Sequence, residues 1–62
     1  MARYVLFRED PNTHREIYLA AMDNCIPQPT TDPDLAIPFP TARDGYDFGG
    51  VHKLDWWKVG QR

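Results

Sequence analysis

A chain of 62 residues with one cysteine, Cys25, can close no internal disulfide. Apolar burial must therefore hold it together, unless a metal or a second subunit helps. At this size only about 60% of the surface exposed by the unfolded chain is buried, so the margin of stability is narrow. Eight large aromatics work against that limit: Tyr4, Phe7, Tyr18, Phe39, Tyr46, Phe48, Trp56 and Trp57. Each can cover roughly 150–250 Å², enough to build a core and leave one or two rings for a contact surface. One domain spanning residues 1–62 is expected. The unpaired cysteine fits a reducing compartment, and a homodimer is one route to further burial.

The pattern along the chain predicts a small α+β domain. Residues 2–9 alternate as a strand, with Val5 and Phe7 on one face and Tyr4 and Leu6 on the other. Both faces are apolar, which suits a central or covered strand. Asp10-Pro11-Asn12-Thr13 is a turn signal, because proline presets φ and asparagine tolerates left-handed backbone. Residues 16–22 resume the strand pattern, with Ile17, Leu19 and Ala21 against Tyr18, Ala20 and Met22, and complete an antiparallel hairpin. Residues 23–40 hold five of the six prolines. Each removes a backbone donor and steers its predecessor away from helix. This segment reads as a long Pro-rich loop, with Leu35-Ala36-Ile37 as a candidate short edge strand. It is either a functional loop or a surface wrap whose Ile26, Leu35, Ile37 and Phe39 plug the core, and the two roles are compatible.

Thr41 followed by Asp44 predicts a helix N-terminus with Thr41 as N-cap, and Gly49-Gly50 reads as its stop. Gly45 inside so short a helix costs about 1 kcal/mol relative to alanine, so Tyr46 or Phe48 must pack on the sheet. Residues 52–59 read as the last strand, with Leu54 and Trp56 on one face and Asp55 and Trp57 on the other. The expected order is strand, strand, loop, helix, strand: about three antiparallel strands with one short helix across a face.

Catalytic chemistry finds little support. A cysteine nucleophile needs a base, and His14 and His52 are distant from Cys25 in the chain. Positions 14, 25 and 52 have no paired zinc-ligand spacing. Asp32-Pro33-Asp34 lacks the downstream glutamate of a calcium loop. No metal, cofactor or enzymatic activity is expected. No apolar run approaches the roughly 20 residues of a membrane span, and the opening run of four is too short for a signal-peptide core, so a cytoplasmic protein without membrane contact is expected.

The charge of −2 is unevenly spread. Residues 1–22 sum to zero, residues 23–55 to −4, and Lys58 and Arg62 follow. An acidic middle argues against direct nucleic-acid binding and suits a basic partner. The expected partner-binding residues are Asp32, Asp34, Asp44, Asp47 and Asp55, with Tyr46 and Trp57 as aromatic anchors. The bland reading of Asp44 and Asp47 is a solvated helix face that favours the helix N-terminus. Trp56 and Trp57 either divide, one indole under the helix and one outward, or are both buried on opposite faces.

In layout the chain resembles small proteins encoded by bacteriophages and prophages. The matching pieces are Arg3-Tyr4-Val5-Leu6-Phe7, Ile17-Tyr18-Leu19-Ala20, Phe39-Pro40-Thr41-Ala42-Arg43-Asp44-Gly45-Tyr46 and Leu54-Asp55-Trp56-Trp57-Lys58-Val59. The proline-rich segment is longer than that layout has. Members of this broad group include anti-CRISPR proteins and inhibitors of host RNA polymerase, which act by stoichiometric docking. The resemblance implies a non-enzymatic phage-type inhibitor, and the leading expectation is an anti-CRISPR protein that binds a host nucleoprotein effector complex in the bacterial cytoplasm and blocks nucleic-acid access. The alternatives are an RNA polymerase inhibitor, or a homodimeric structural or assembly protein with no inhibitory role. A small nucleic-acid binder that stacks bases on its aromatics is disfavoured by the acidic middle.

Overall fold

The computed structural model describes residues 3–62, so Ala2, expected in the first strand, lies outside the described residues. The domain is α+β, a four-stranded antiparallel sheet carrying one α-helix. In chain order the elements are β1 (Tyr4–Glu9), β2 (Glu16–Asp23), β3 (Ile26–Thr30), a 3-10 turn (Pro33–Leu35), α1 (Ala42–Val51) and β4 (Lys58–Gln61). The strands lie in the order β3-β2-β1-β4. The double-sided apolar pattern of β1 reflects its central place: Val5 and Leu6 are both buried, on opposite faces.

One face is the helix side. Leu6, Leu19, Phe39 and Leu54 form its buried centre, with Tyr4, Met22, Ile37, Phe48, Trp57 and Val59 around it. Phe48 is the helix residue that turns to the sheet, its ring 5.3 Å from that of Phe39, while Tyr46 faces solvent. Gly45 earns its place by proximity: a Cβ there would lie 3.1 and 3.2 Å from the Val59 methyls, so its absence lets α1 settle on β4. The opposite face holds Val5, Tyr18 and Ala36, with Phe7 packed against them.

The expected long loop over 23–40 does not exist as such. Its first part is β3, paired to β2 through a two-residue turn at Asn24 and Cys25. Both residues have positive φ, 49° and 67°, as a type I′ hairpin requires. That turn makes Asp23 and Ile26 a hydrogen-bonded pair. The amides of Ile26 and Gln28 then face β2, and Pro27 and Pro29 direct their nitrogens to the free edge, where no ladder donor is lost. A bulge between Leu19 and Ala21 inserts one residue into β2. Strict alternation places Met22 with Tyr18, but the inserted residue brings it to the side of Leu19.

Residues 35–37 do not add an edge strand either. After the 3-10 turn, capped by the Asp32 carboxylate accepting from the Asp34 amide at 2.9 Å, the chain enters the sheet from the helix-free face. Ala36 packs with Val5 and Tyr18, the Ile37 amide donates to the Leu19 carbonyl at 2.9 Å, and Phe39 exchanges two backbone bonds with Tyr4 at 2.8 and 3.0 Å. β1 and β2 are paired only from Phe7 and Tyr18 toward their turn, and this strap fills the gap where they splay. Of the four apolar residues expected to plug the core, Ile37 and Phe39 do so, whereas Ile26 and Leu35 stay exposed.

The N-cap of α1 forms as expected, with Thr41 Oγ1 accepting from the Asp44 amide at 3.2 Å. Gly49 and Gly50 do not end the helix, because no glycine has positive φ. The left-handed residue is Lys53 (φ 56°), and the Leu54 and Lys53 amides return to the Gly49 and Gly50 carbonyls at 2.8 and 3.3 Å, a Schellman ending. The last strand begins later than the alternation suggested. Residues 52–57 form the exit from the helix, and only Lys58–Gln61 pair with β1.

Candidate functional site

The five aspartates do not form one patch. Asp32 and Asp34 sit at the 3-10 turn, where Arg3 pairs with Asp34 at 3.0 Å and donates to the Pro33 carbonyl at 2.6 Å. Asp44 and Asp47 are exposed on α1, which covers the other face of the sheet. Asp55 follows the helix and shares a groove with Tyr46 and Trp57. Sequence proximity thus overstated the clustering: two aspartates lie on each side of the sheet, with Asp55 near the helix side.

The two tryptophans divide as the first of the two alternatives had it, but in the order opposite to the assignment of Trp57 as anchor. Trp57 is half-buried against the Leu6 cluster, and Trp56 is 81% exposed. Trp56 borders a groove of about 360 Å³ on the helix-free face, lined also by Phe7, Arg8, Glu9, Glu16 and Lys58. Sequence reasoning did not find this groove, because Phe7 and Lys58 become neighbours only through the β1–β4 register.

Beside the groove runs a polar chain. The Arg62 guanidinium lies 4.3 Å from the centre of the Phe7 ring, a cation–π contact, and its Nε donates to Glu16 Oε1 at 2.8 Å. The Tyr18 hydroxyl donates to the same oxygen at 2.7 Å. Gly60 makes room for the Phe7 ring: a Cβ at that position would collide with Phe7 Cε1. Arg62, and then the Tyr18 hydroxyl, hold the Glu16 carboxyl below its ordinary value of 4.5, while the bond to Glu16, and then burial, push the Tyr18 phenol up.

A carboxyl with a depressed folded-state pKa stabilises the fold above its unfolded pKa, and that stabilisation fades as pH falls through the lower folded value. Glu16 is 40% exposed, so solvent screens the pair and the effect is small. Denaturation midpoints taken from about pH 7 to about pH 3 should converge for wild type and Glu16→Gln as the pH drops below 4.5. A constant gap across that range would mean that Glu16 contributes nothing through its charge.

The remaining reactive side chains are dispersed. Cys25 is exposed at the β2–β3 turn, and His14 lies beyond the other end of β2, with Nδ1 2.9 Å from Glu9 Oε1. Eight strand residues separate them, about 25 Å at the usual strand rise. His52 caps α1 with its ring 4.3 Å from Phe48. Among the described residues, no three His, Cys, Asp or Glu side chains converge in a metal-binding group. No helix among them is long and apolar enough to cross a membrane. What the surface offers chemically is an exposed indole, a shallow mixed-charge groove and separate carboxylates, features that suit recognition. No protein-family model, curated protein or solved structure matches this chain.

Proposed function

We propose that this chain is a non-catalytic binding protein, a phage-type inhibitor of the anti-CRISPR kind that docks on a host nucleoprotein complex and blocks nucleic-acid access. The observation that carries the binding role is Trp56, 81% exposed, which with Tyr46 is one of the two aromatics left among the exposed large hydrophobics. A solvated indole beside a groove is the side chain most often found to dominate a protein interface. Asp44 and Asp47, exposed on α1, support a basic partner surface by steering its approach. The layout and the charge of −2 agree with a protein target in preference to nucleic acid.

The test is affinity capture from bacterial host lysate with mass spectrometry, comparing wild type, Trp56→Ala and the Asp44→Lys/Asp47→Lys double variant. The expected result is recovery of a CRISPR effector complex, reduced by at least about tenfold for Trp56→Ala and reduced for the double variant. Recovery of RNA polymerase subunits would move the target to the transcription machinery. Recovery of the bait alone, at dimer mass, would replace the inhibitor reading with a self-assembling structural protein. Full capture by the double variant would remove the acidic contribution.

A further inference from the structure

The two edges of the sheet differ. β3 closes its side with Pro27 and Pro29, whose nitrogens face outward and offer no donors. β4 closes nothing. The Arg62 amide donates to the Arg3 carbonyl at 3.0 Å, which makes Arg3 and Arg62 a hydrogen-bonded pair. In the antiparallel register that follows, Gly60 and Lys58 also turn their backbone groups toward β1. Val59 and Gln61 therefore point their amides and carbonyls away from the sheet. Among the described residues no backbone group bonds to them from outside the sheet; one side chain does, Arg62, whose Nη1 donates to the Gln61 carbonyl at 2.8 Å. Beside this edge, between α1 and β4, lies a groove of about 160 Å³ bordered by Leu6, Tyr46, Gly49, Trp57 and Val59, with Asp55 at its rim.

We infer that the β4 edge is a docking site for an extended segment of a partner protein, which adds a fifth strand to the sheet and alternates apolar with acidic side chains. The backbone of Val59 and Gln61 supplies two donors and two acceptors to the incoming strand, the Gln61 carbonyl using the lone pair that Arg62 leaves open. Guest side chains on the helix side meet the apolar groove. Those on the other side meet Lys58, and a carboxylate directly across from it is the favourable cross-strand pair.

The same geometry disfavours a second copy as the occupant. Pairing β4 with itself through Val59 and Gln61 centres the twofold on Gly60. Each Lys58 then stands opposite Arg62 of the other copy, a like-charge pair made twice. This site rests on the proposed function only in taking the chain as a binding protein, and it is separate from the acidic face of α1.

The clean variant is Gln61→Pro. Gln61 is exposed and its amide makes no bond to β1, so proline there closes the edge as Pro27 and Pro29 close the other. A displayed library of random linear heptapeptides is selected on the immobilised chain, with Gln61→Thr and Gln61→Pro chains in parallel. An enriched peptide is then added to ¹⁵N-labelled protein for amide exchange.

Enriched peptides that alternate apolar and acidic residues, slow exchange at the Val59 and Gln61 amides, and lose at least tenfold in affinity on Gln61→Pro but not on Gln61→Thr are the expected result. No enrichment, or binders indifferent to Gln61→Pro, would overturn the inference. Protection of Val59 and Gln61 without peptide, at a concentration where the mass doubles, would also overturn it by assigning the edge to a second copy. A lysate partner captured through Trp56 and unaffected by Gln61→Pro would leave the binding function standing and this docking site refuted.

Discussion

Phe39→Ala is expected to cost about 3–5 kcal/mol, the range for removing a buried aromatic ring, and to leave much of the protein unfolded at 25 °C. A domain of this size has roughly 3–9 kcal/mol in total. Phe39 is 8% exposed, its ring meets that of Phe48, and its backbone exchanges two hydrogen bonds with Tyr4. Alanine keeps those backbone bonds and empties the space that joins the strap, β1 and α1. Urea unfolding followed by tryptophan fluorescence measures the loss, since Trp57 is half-buried against the same cluster. Phe39→Leu, which refills most of the volume, should cost less than about 1.5 kcal/mol and keep a folded variant in hand. If Phe39→Ala lost less than about 1 kcal/mol, the strap would be a surface wrap and not part of the core.

The second large effect is expected at Leu19. Its side chain is fully buried with Leu6, Phe39 and Leu54, so Leu19→Ala should cost about 3 kcal/mol in lost transfer energy and cavity formation. Its carbonyl accepts the Ile37 amide where β2 leaves β1, so the damage should also be visible locally. Exchange of the Ile37 amide is expected to accelerate more than that of Arg8, which lies where β1 and β2 remain paired. Equal acceleration at both sites would show that the strap has no separate stability and unfolds only with the whole domain.

The candidate site was legible in part. Tyr46, expected as an anchor, is exposed, and the Trp56–Trp57 pair divides as one of the two expected alternatives had it, although both lie in the turn before β4 and not on a strand. Alternation cannot say which of two adjacent indoles goes inside, because the sequence around them is apolar and polar in both registers. The choice came from where β4 begins: at Lys58, after a turn in which the Trp57 amide donates to the Leu54 carbonyl. The aspartates illustrate a different limit. Five carboxylates in 24 residues look like one patch, yet a strap that crosses the sheet between Asp34 and Asp44 puts them on opposite sides.

What the chain determined by itself is local. The period-two pattern of Val5, Leu6, Tyr18 and Leu19 set the first hairpin, Thr41 and Asp44 set the start of α1, and the aromatic count supplied the core. These depend on near neighbours and are satisfied by the same residues in any compact arrangement. Tertiary structure decided the rest. Prolines at 27 and 29 argue against a strand until the register of the Asn24–Cys25 turn points their nitrogens out of the sheet. Ile37 and Phe39 look like loop residues until β1 and β2 splay and leave carbonyls and a cavity for them. Met22 changes face only because a bulge interrupts β2. In each case the deciding partner is a hydrogen bond or a packing gap, which local propensity does not encode.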